Sequence, residues 1–255
     1  MRDEKEKNYA VNGMGDAQGN ASSFRLHLSS FLFDYPKSAA FGRIVPKSKI
    51  YEHVSPSKAL KELFVGQVDQ IVWQYKLAPE TINLRQTPSV PEIEIFSIIL
   101  KDGELKNDVL RSIDQAIAFP LVFELLYGDK CKVIAAYKRP SEADAAKWVV
   151  SDYFESAWLP IETPRTPLPV VLDLDALYEH LLSPLMPYPA RKGERLQQQV
   201  ERMSMIRFKQ REVEKCEGRI QKEKQFNRKV EINAELRILK QEIATLTRQE
   251  ALAIP

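Results

Sequence analysis

The chain has 255 residues, 44% of them apolar, and carries 37 Lys+Arg against 35 Asp+Glu, a formal charge of +2. That balance excludes a wholly disordered chain, and the length suits one domain with an appendage. Nine glycines include no G-x-G-x-x-G and no G-x-x-x-x-G-K-[ST], which removes the usual nucleotide loops, and two cysteines cannot furnish a structural zinc site.

The first twenty residues are charged and polar with no apolar core, so neither a signal nor a transit peptide is expected, and a cytoplasmic protein without a membrane span is. Residues 1–23 are expected to form a disordered tail. His27, His53 and His180 lack ligand spacing, so no metal centre is expected. Charge is unevenly spread: residues 191–255 hold 16 Lys+Arg and 10 Asp+Glu, which leaves the preceding part mildly acidic.

Residues 24–158 read as an α+β body. Short apolar stretches broken by Pro36 and Pro46 read as irregular entry structure, and Ser55-Pro56 reads as the start of a helix over 56–65. Residues 70–77 alternate as a strand, with Ile71, Trp73, Tyr75 and Leu77 on one side and Val72, Gln74 and Lys76 on the other. A second strand spans 92–100, and a helix starting near Asn107 carries the stripe Val109, Leu110, Ile113 and Ile117. Strands are predicted over 121–127, 132–138 and 148–154, the first two joined by Gly128-Asp129-Lys130. This order predicts a mostly antiparallel sheet with helices on one face.

Residues 159–193 read as a proline-rich linker with one short helix capped by Asp173. Residues 194–252 have the composition of a long helix, and one continuous rod would reach about 85 Å at 1.5 Å per residue. It is therefore predicted to be a basic coiled-coil helix, or a hairpin bent near Gly218. Its heptad-like apolar steps run through Leu196, Val200, Met203 and Ile206 and, after a slip in phase between Ile220 and Ile232, through Ile232, Leu236, Leu239, Ile243 and Leu246. The latter are candidate anchors for a partner or for self-association, the alternative being that the arm folds back on its own body.

Three groups are candidates for chemistry. Lys76, Glu92 and Glu94, with Glu124, Lys138 and Asp152 as further candidates, would gather on the sheet face opposite the helices, and two acids beside a lysine are what a Mg²⁺-dependent nuclease uses; cross-strand ion pairing explains the same residues. Tyr137-Lys138-Arg139 could touch a phosphate, or be a solvated strand end. Residues 202–230 hold ten Lys+Arg against four Asp+Glu, among them Arg211, Lys215, Arg219, Lys222, Arg228 and Lys229, which suit either nucleic-acid phosphates or a charged partner helix.

The stretches FDYPK at 33–37, IVPKSKIY at 44–51, IVWQYKLAPETINL at 71–84, EIEIF at 92–96, IDQAI at 113–117, PLVFE at 120–124 and WLP at 158–160 resemble the bacterial family called domain of unknown function 4391. The resemblance covers roughly residues 30–185. It implies an accessory protein encoded beside DNA methyltransferases and helicases in restriction or phage-defence loci, and it brings no catalytic residues. The expectation is a non-enzymatic adaptor without a cofactor, docking a helicase or methyltransferase through its helical arm. The alternatives are a Mg²⁺-dependent nuclease and a nucleic-acid-binding arm.

Overall fold

A computed structural model describes residues 31–144 and 147–248. The tail expected over residues 1–23 lies outside the described residues. In chain order the elements are β1 (Phe33–Asp34), β2 (Ala40–Ile44), α1 (Lys47–Val54), α2 (Lys58–Gln67), β3 (Val68–Leu77), α3 (Pro79–Ile82), β4 (Ile93–Leu100), α4 (Asn107–Ala116), β5 (Leu121–Tyr127), β6 (Lys130–Pro140), β7 (Trp148–Glu155), β8 (Leu159–Pro160), β9 (Thr166–Pro167), α5 (Leu174–Leu182), α6 (Leu196–Lys222) and α7 (Phe226–Thr247).

A mixed α+β fold results. Strands β2 to β7 lie in chain order in one sheet, and β8 pairs with β6. Every pairing in that sheet is antiparallel except β4 with β5, which run parallel because α4 carries the chain from one to the other. The short β1 and β9 form a separate parallel pair.

The body's own helices cover one sheet face. Ile50 of α1, Phe64 of α2 and Val109, Leu110 and Ile113 of α4 pack on Ile71, Phe96, Ile98, Phe123, Leu125 and Ile134. The other face is covered as well: Leu174, Leu177, Tyr178, Leu181 and Leu182 of α5 and Leu196, Val200, Met203 and Ile206 of α6 share a cluster with Leu77, Ile93, Ile95, Val122, Val133 and Phe154. The first turns of α6 are therefore core, although the sequence reading places residue 194 at the start of a separate arm.

Local chemistry accounts for the elements and for three departures from expectation. Helix α1 occupies part of the stretch read as irregular. Pro46 sits just before it with extended backbone, where a proline is tolerated because the first helical amides need no intrahelical acceptor. Ser55, read as a helix start, instead ends α1 in the left-handed conformation at φ 45°. The cap of α2 is Ser57, whose hydroxyl accepts from Leu60 N.

The second departure is in β3, where the register shifts between Trp73 and Tyr75. Ile71 and Trp73 pack with the α1/α2/α4 cluster, while Tyr75 and Leu77 pack with the other one. An inserted residue reverses the alternation from that point on.

The third is the helical arm. It breaks at residues 223–225, not near Gly218, and α7 returns antiparallel along α6, as shown by the ion pairs Arg219–Glu235, Lys240–Glu217 and Lys209–Glu242. The proline-rich segment is also tied into the fold: β8 pairs with β6, and Arg165 forms two hydrogen bonds to Glu124, at 2.7 and 2.9 Å. The cap predicted at Asp173 is present, its carboxylate accepting from Ala176 N.

Candidate functional site

The polar group at the start of β4 is assembled by the turn that follows β3. Pro79 opens α3, Thr81 Oγ1 donates to Lys76 O at 2.7 Å and accepts from Ala78 N at 2.9 Å, and Asn83 ends the helix at φ 56°. This holds Glu80 one helical turn from Lys76, whose Nζ lies 2.9 Å from Glu80 Oε1 and 3.0 Å from Glu92 Oε2. Lys76 pairs in register with Glu94. The three residues read from the sequence as a nuclease-like set therefore do meet.

Their electrostatics suit an ion-pair network. Hydrogen bonds to Glu80 and Glu92 hold the Lys76 ammonium above its usual range. The Glu94 side chain is buried, the residue being 3% exposed. Burial, then the contact with Glu92 and its charge, push the Glu94 carboxyl up to about 8. Magnesium needs ionised oxygen donors, and here one carboxylate is bound to a lysine while its neighbour keeps a proton at neutral pH. Among the described residues no group of three His, Cys, Asp or Glu could hold a metal ion. The donor set fits Mg²⁺ poorly.

The other candidates on the expected face are dispersed. Glu124 faces the α5/α6 side of the sheet, bonded to Arg165. Asp152 lies 3.5 Å from Arg207 Nη1. Glu94 and Lys138 lie on the face that α1, α2 and α4 cover, not on the opposite one as expected, because Ile93 and Ile95 point to the α5/α6 side and Lys138 reaches the end of α4. Lys138 is 1% exposed, so the basic cluster at 137–139 presents no lysine to a phosphate. Its Nζ donates to Asp114 O and Ile117 O at the end of α4 and lies 3.5 Å from Asp114 Oδ1. Tyr153 OH donates to Asp114 Oδ2. Lys138 thus closes the C-terminus of α4, where helix carbonyls lack intrahelical partners.

The second candidate is the hairpin. Ile232 is buried and Leu236, Leu239, Ile243 and Leu246 are half-buried on α7, with Leu246 packed against the α5/α6 cluster. The anchors read from the sequence are thus partly covered by their own chain. Buried Cys216, on α6, is flanked by half-buried Val213 and Ile220.

A different stripe was not read from the sequence. Phe226, Val230 and Ile238 are 77%, 53% and 59% exposed, and Ala234 between them is exposed too. At 100° per residue these four lie about half a turn from Ile232, Leu236, Leu239 and Ile243. The signal is present as three successive steps of four, whereas the slip in phase between Ile220 and Ile232 reflects the break at residues 223–225.

The basic residues named from the sequence divide in two. Lys215 and Arg219 are engaged with Glu212 and Glu235, whereas Arg211, Lys222, Arg228 and Lys229 make no ion pair among the described residues.

The model of the family called domain of unknown function 4391 matches residues 33–243, spanning the sheet, both helical layers and most of the hairpin. The chain belongs to that family. No curated protein and no solved structure matches it. In this DUF4391 protein the segment 79–84 lines, with residues 34–38 and 168–171, a cleft of about 790 Å³. The cleft is built largely of prolines and aliphatic side chains, and the Glu92–Glu94 group does not line it. No helix among the described residues is long and apolar enough to cross a membrane.

Proposed function

We propose that this DUF4391 protein is a non-enzymatic accessory subunit that docks a larger protein through the outer face of α7. The observation that carries this reading is the exposed stripe Phe226, Val230, Ala234 and Ile238, on a helix whose opposite face is already engaged with α6. An amphipathic helix needs one apolar face to hold its neighbour; a second such face suits a further helix laid into it. The setting implied by the family resemblance, a restriction or phage-defence locus in the cytoplasm, makes a DNA helicase or methyltransferase the partner proposed.

The test is co-expression with a DNA helicase and with a DNA methyltransferase of the kind that the family resemblance implies as neighbours, followed by size-exclusion chromatography. Co-elution with one of them, lost in Val230→Lys/Ile238→Lys, supports the reading. Elution of every component alone, or a complex indifferent to that double variant, counts against it.

The Mg²⁺-dependent nuclease reading has one observation in its favour, the meeting of Lys76, Glu92 and Glu94 at one end of the sheet. The neutral Glu94 and the doubly paired Lys76 oppose it. Plasmid incubated with the protein and Mg²⁺, beside Glu94→Ala, decides: cleavage by the first and none by the second would revive it.

A further inference from the structure

The hairpin's charges are distributed unevenly along its length. Near the body, Arg202 is bonded to Glu194 and Arg207 reaches Asp152 and Tyr153 O. Further out, Lys209, Lys215, Arg219 and Lys240 each have a glutamate within 3.1 Å. At the turn the pattern changes. Residues 222–229 contain Lys222, Lys224, Arg228 and Lys229 with a single acid, Glu223. None of these four cations forms an ion pair among the described residues, and three of them are exposed while Lys229 is half-buried. Glu223 is occupied by the turn itself, its Oε1 accepting from Lys224 N and Gln225 N at 2.8 Å. Phe226, the most exposed aromatic of the arm, sits among them.

We infer that this tip is a nucleic-acid contact that grips the phosphate backbone. Four cations within eight residues outnumber the nearby acids: Glu223, whose carboxylate feels the charges of Arg228 and Lys229, and Glu231 and Glu235, which line one pocket with Lys222 and Arg228. The net positive field that remains is one a polyanion of closely spaced phosphates complements. Arg207 is the last residue of α6 bonded to the sheet, and the helix continues for about 15 residues, or roughly 22 Å, so the tip reaches a duplex without the body's acidic surface following it. Phe226 offers a ring for stacking on an unpaired base. A lipid surface is the poorer match, since two exposed apolar side chains beside the cations, Phe226 and Val230, give little to insert. No side chain here presents a bidentate fork fixed by neighbours, so the contact follows phosphate and is indifferent to sequence. Phe226 also belongs to the outer stripe of α7, but the phosphate contact is made by the four cations and does not depend on what docks on that stripe.

The experiment is fluorescence anisotropy of the full chain with labelled duplex and single strand of about 20 nucleotides, from 50 to 200 mM salt. With four phosphates neutralised, duplex affinity is expected to fall about 150-fold over that range. The variant Lys222→Gln/Lys224→Gln/Arg228→Gln/Lys229→Gln, its folding checked by circular dichroism, is expected to lose both the binding and the salt dependence. Phe226→Ala is expected to weaken single-strand binding several-fold and duplex binding less. Absence of binding at 50 mM salt overturns the inference, as does a quadruple variant that binds like the parent. Tip-dependent capture of phosphatidylserine vesicles in place of nucleic acid also overturns it.

Discussion

Lys138 and Glu94 show how two buried ionisable side chains are tolerated at one end of a sheet. Lys138 is surrounded by two backbone carbonyls and the Asp114 carboxylate, a match for its three donors. Burial drives the Asp114 carboxyl up and the Lys138 ammonium down, and the charge of each opposes the shift of the other. Lys138→Met is expected to destabilise the fold by about 3 kcal/mol in urea unfolding, because Asp114 and the end of α4 lose their cation together; adding Asp114→Asn should recover part of the loss.

Glu94 predicts a pH effect of definite sign. Its carboxyl keeps a proton up to about 8 when folded and releases it near 4.5 when unfolded. Between those values the folded chain binds more protons, so stability falls as pH rises through the window and levels off above it. Urea midpoints for Glu94→Gln should show a shallower decline from pH 5 to 8, with a residual slope of the same sign from Asp114 at the acid end. Lys76, Glu92 and Glu94 could be nominated from the strand pattern because cross-strand neighbours follow from parity. The isolation of Lys138 could not, since it depends on where α4 docks, a long-range matter absent from local periodicity.

The helices of the arm separate packing from display. Ile232→Ala removes a buried side chain from the distal hairpin and is expected to cost about 2 kcal/mol or more, confined to the arm. Hydrogen exchange should show α7 amides losing protection while those of β4 and β5 keep theirs. Ile238→Ala, on the outer face, should change stability by no more than about 0.5 kcal/mol. The existence of a hairpin was legible in the interrupted phase of the apolar steps. Its turn was misplaced because a glycine attracted more weight than the polar run KEKQ that forms the actual break. Helix α1 escapes the sequence pattern for a related reason: Pro46 reads as a breaker, although it stands where a helix accepts proline.

Across the whole molecule, the seam between body and arm is the feature least visible in the sequence. Leu196, Val200, Met203 and Ile206 looked like the first steps of a coiled coil, yet they close the second face of the sheet. Burying four such side chains contributes on the order of 6–12 kcal/mol as an upper estimate, comparable with the entire stability of an ordinary domain. A chain ending at residue 193 is therefore expected to aggregate or to bind 1-anilinonaphthalene-8-sulfonate strongly. One ending at residue 208 keeps those four side chains and should still melt cooperatively, but at a lower temperature, because Leu246 and the carbonyls that Arg191 and Arg202 hold leave with α7. The sheet order followed the chain because successive strands tend to be neighbours, and the single parallel pair follows from the one helix placed between two strands.

Helix α6 has a mechanical consequence. It is one unbroken rod of 27 residues whose lower end is clamped between sheet and α5 and whose upper end has only α7 bonded beside it. Leverage at Lys222 has no joint along the way to absorb it, so a tug at the far end is delivered to Met203 and Ile206. A molecule seized by its tip would register that strain beneath the sheet.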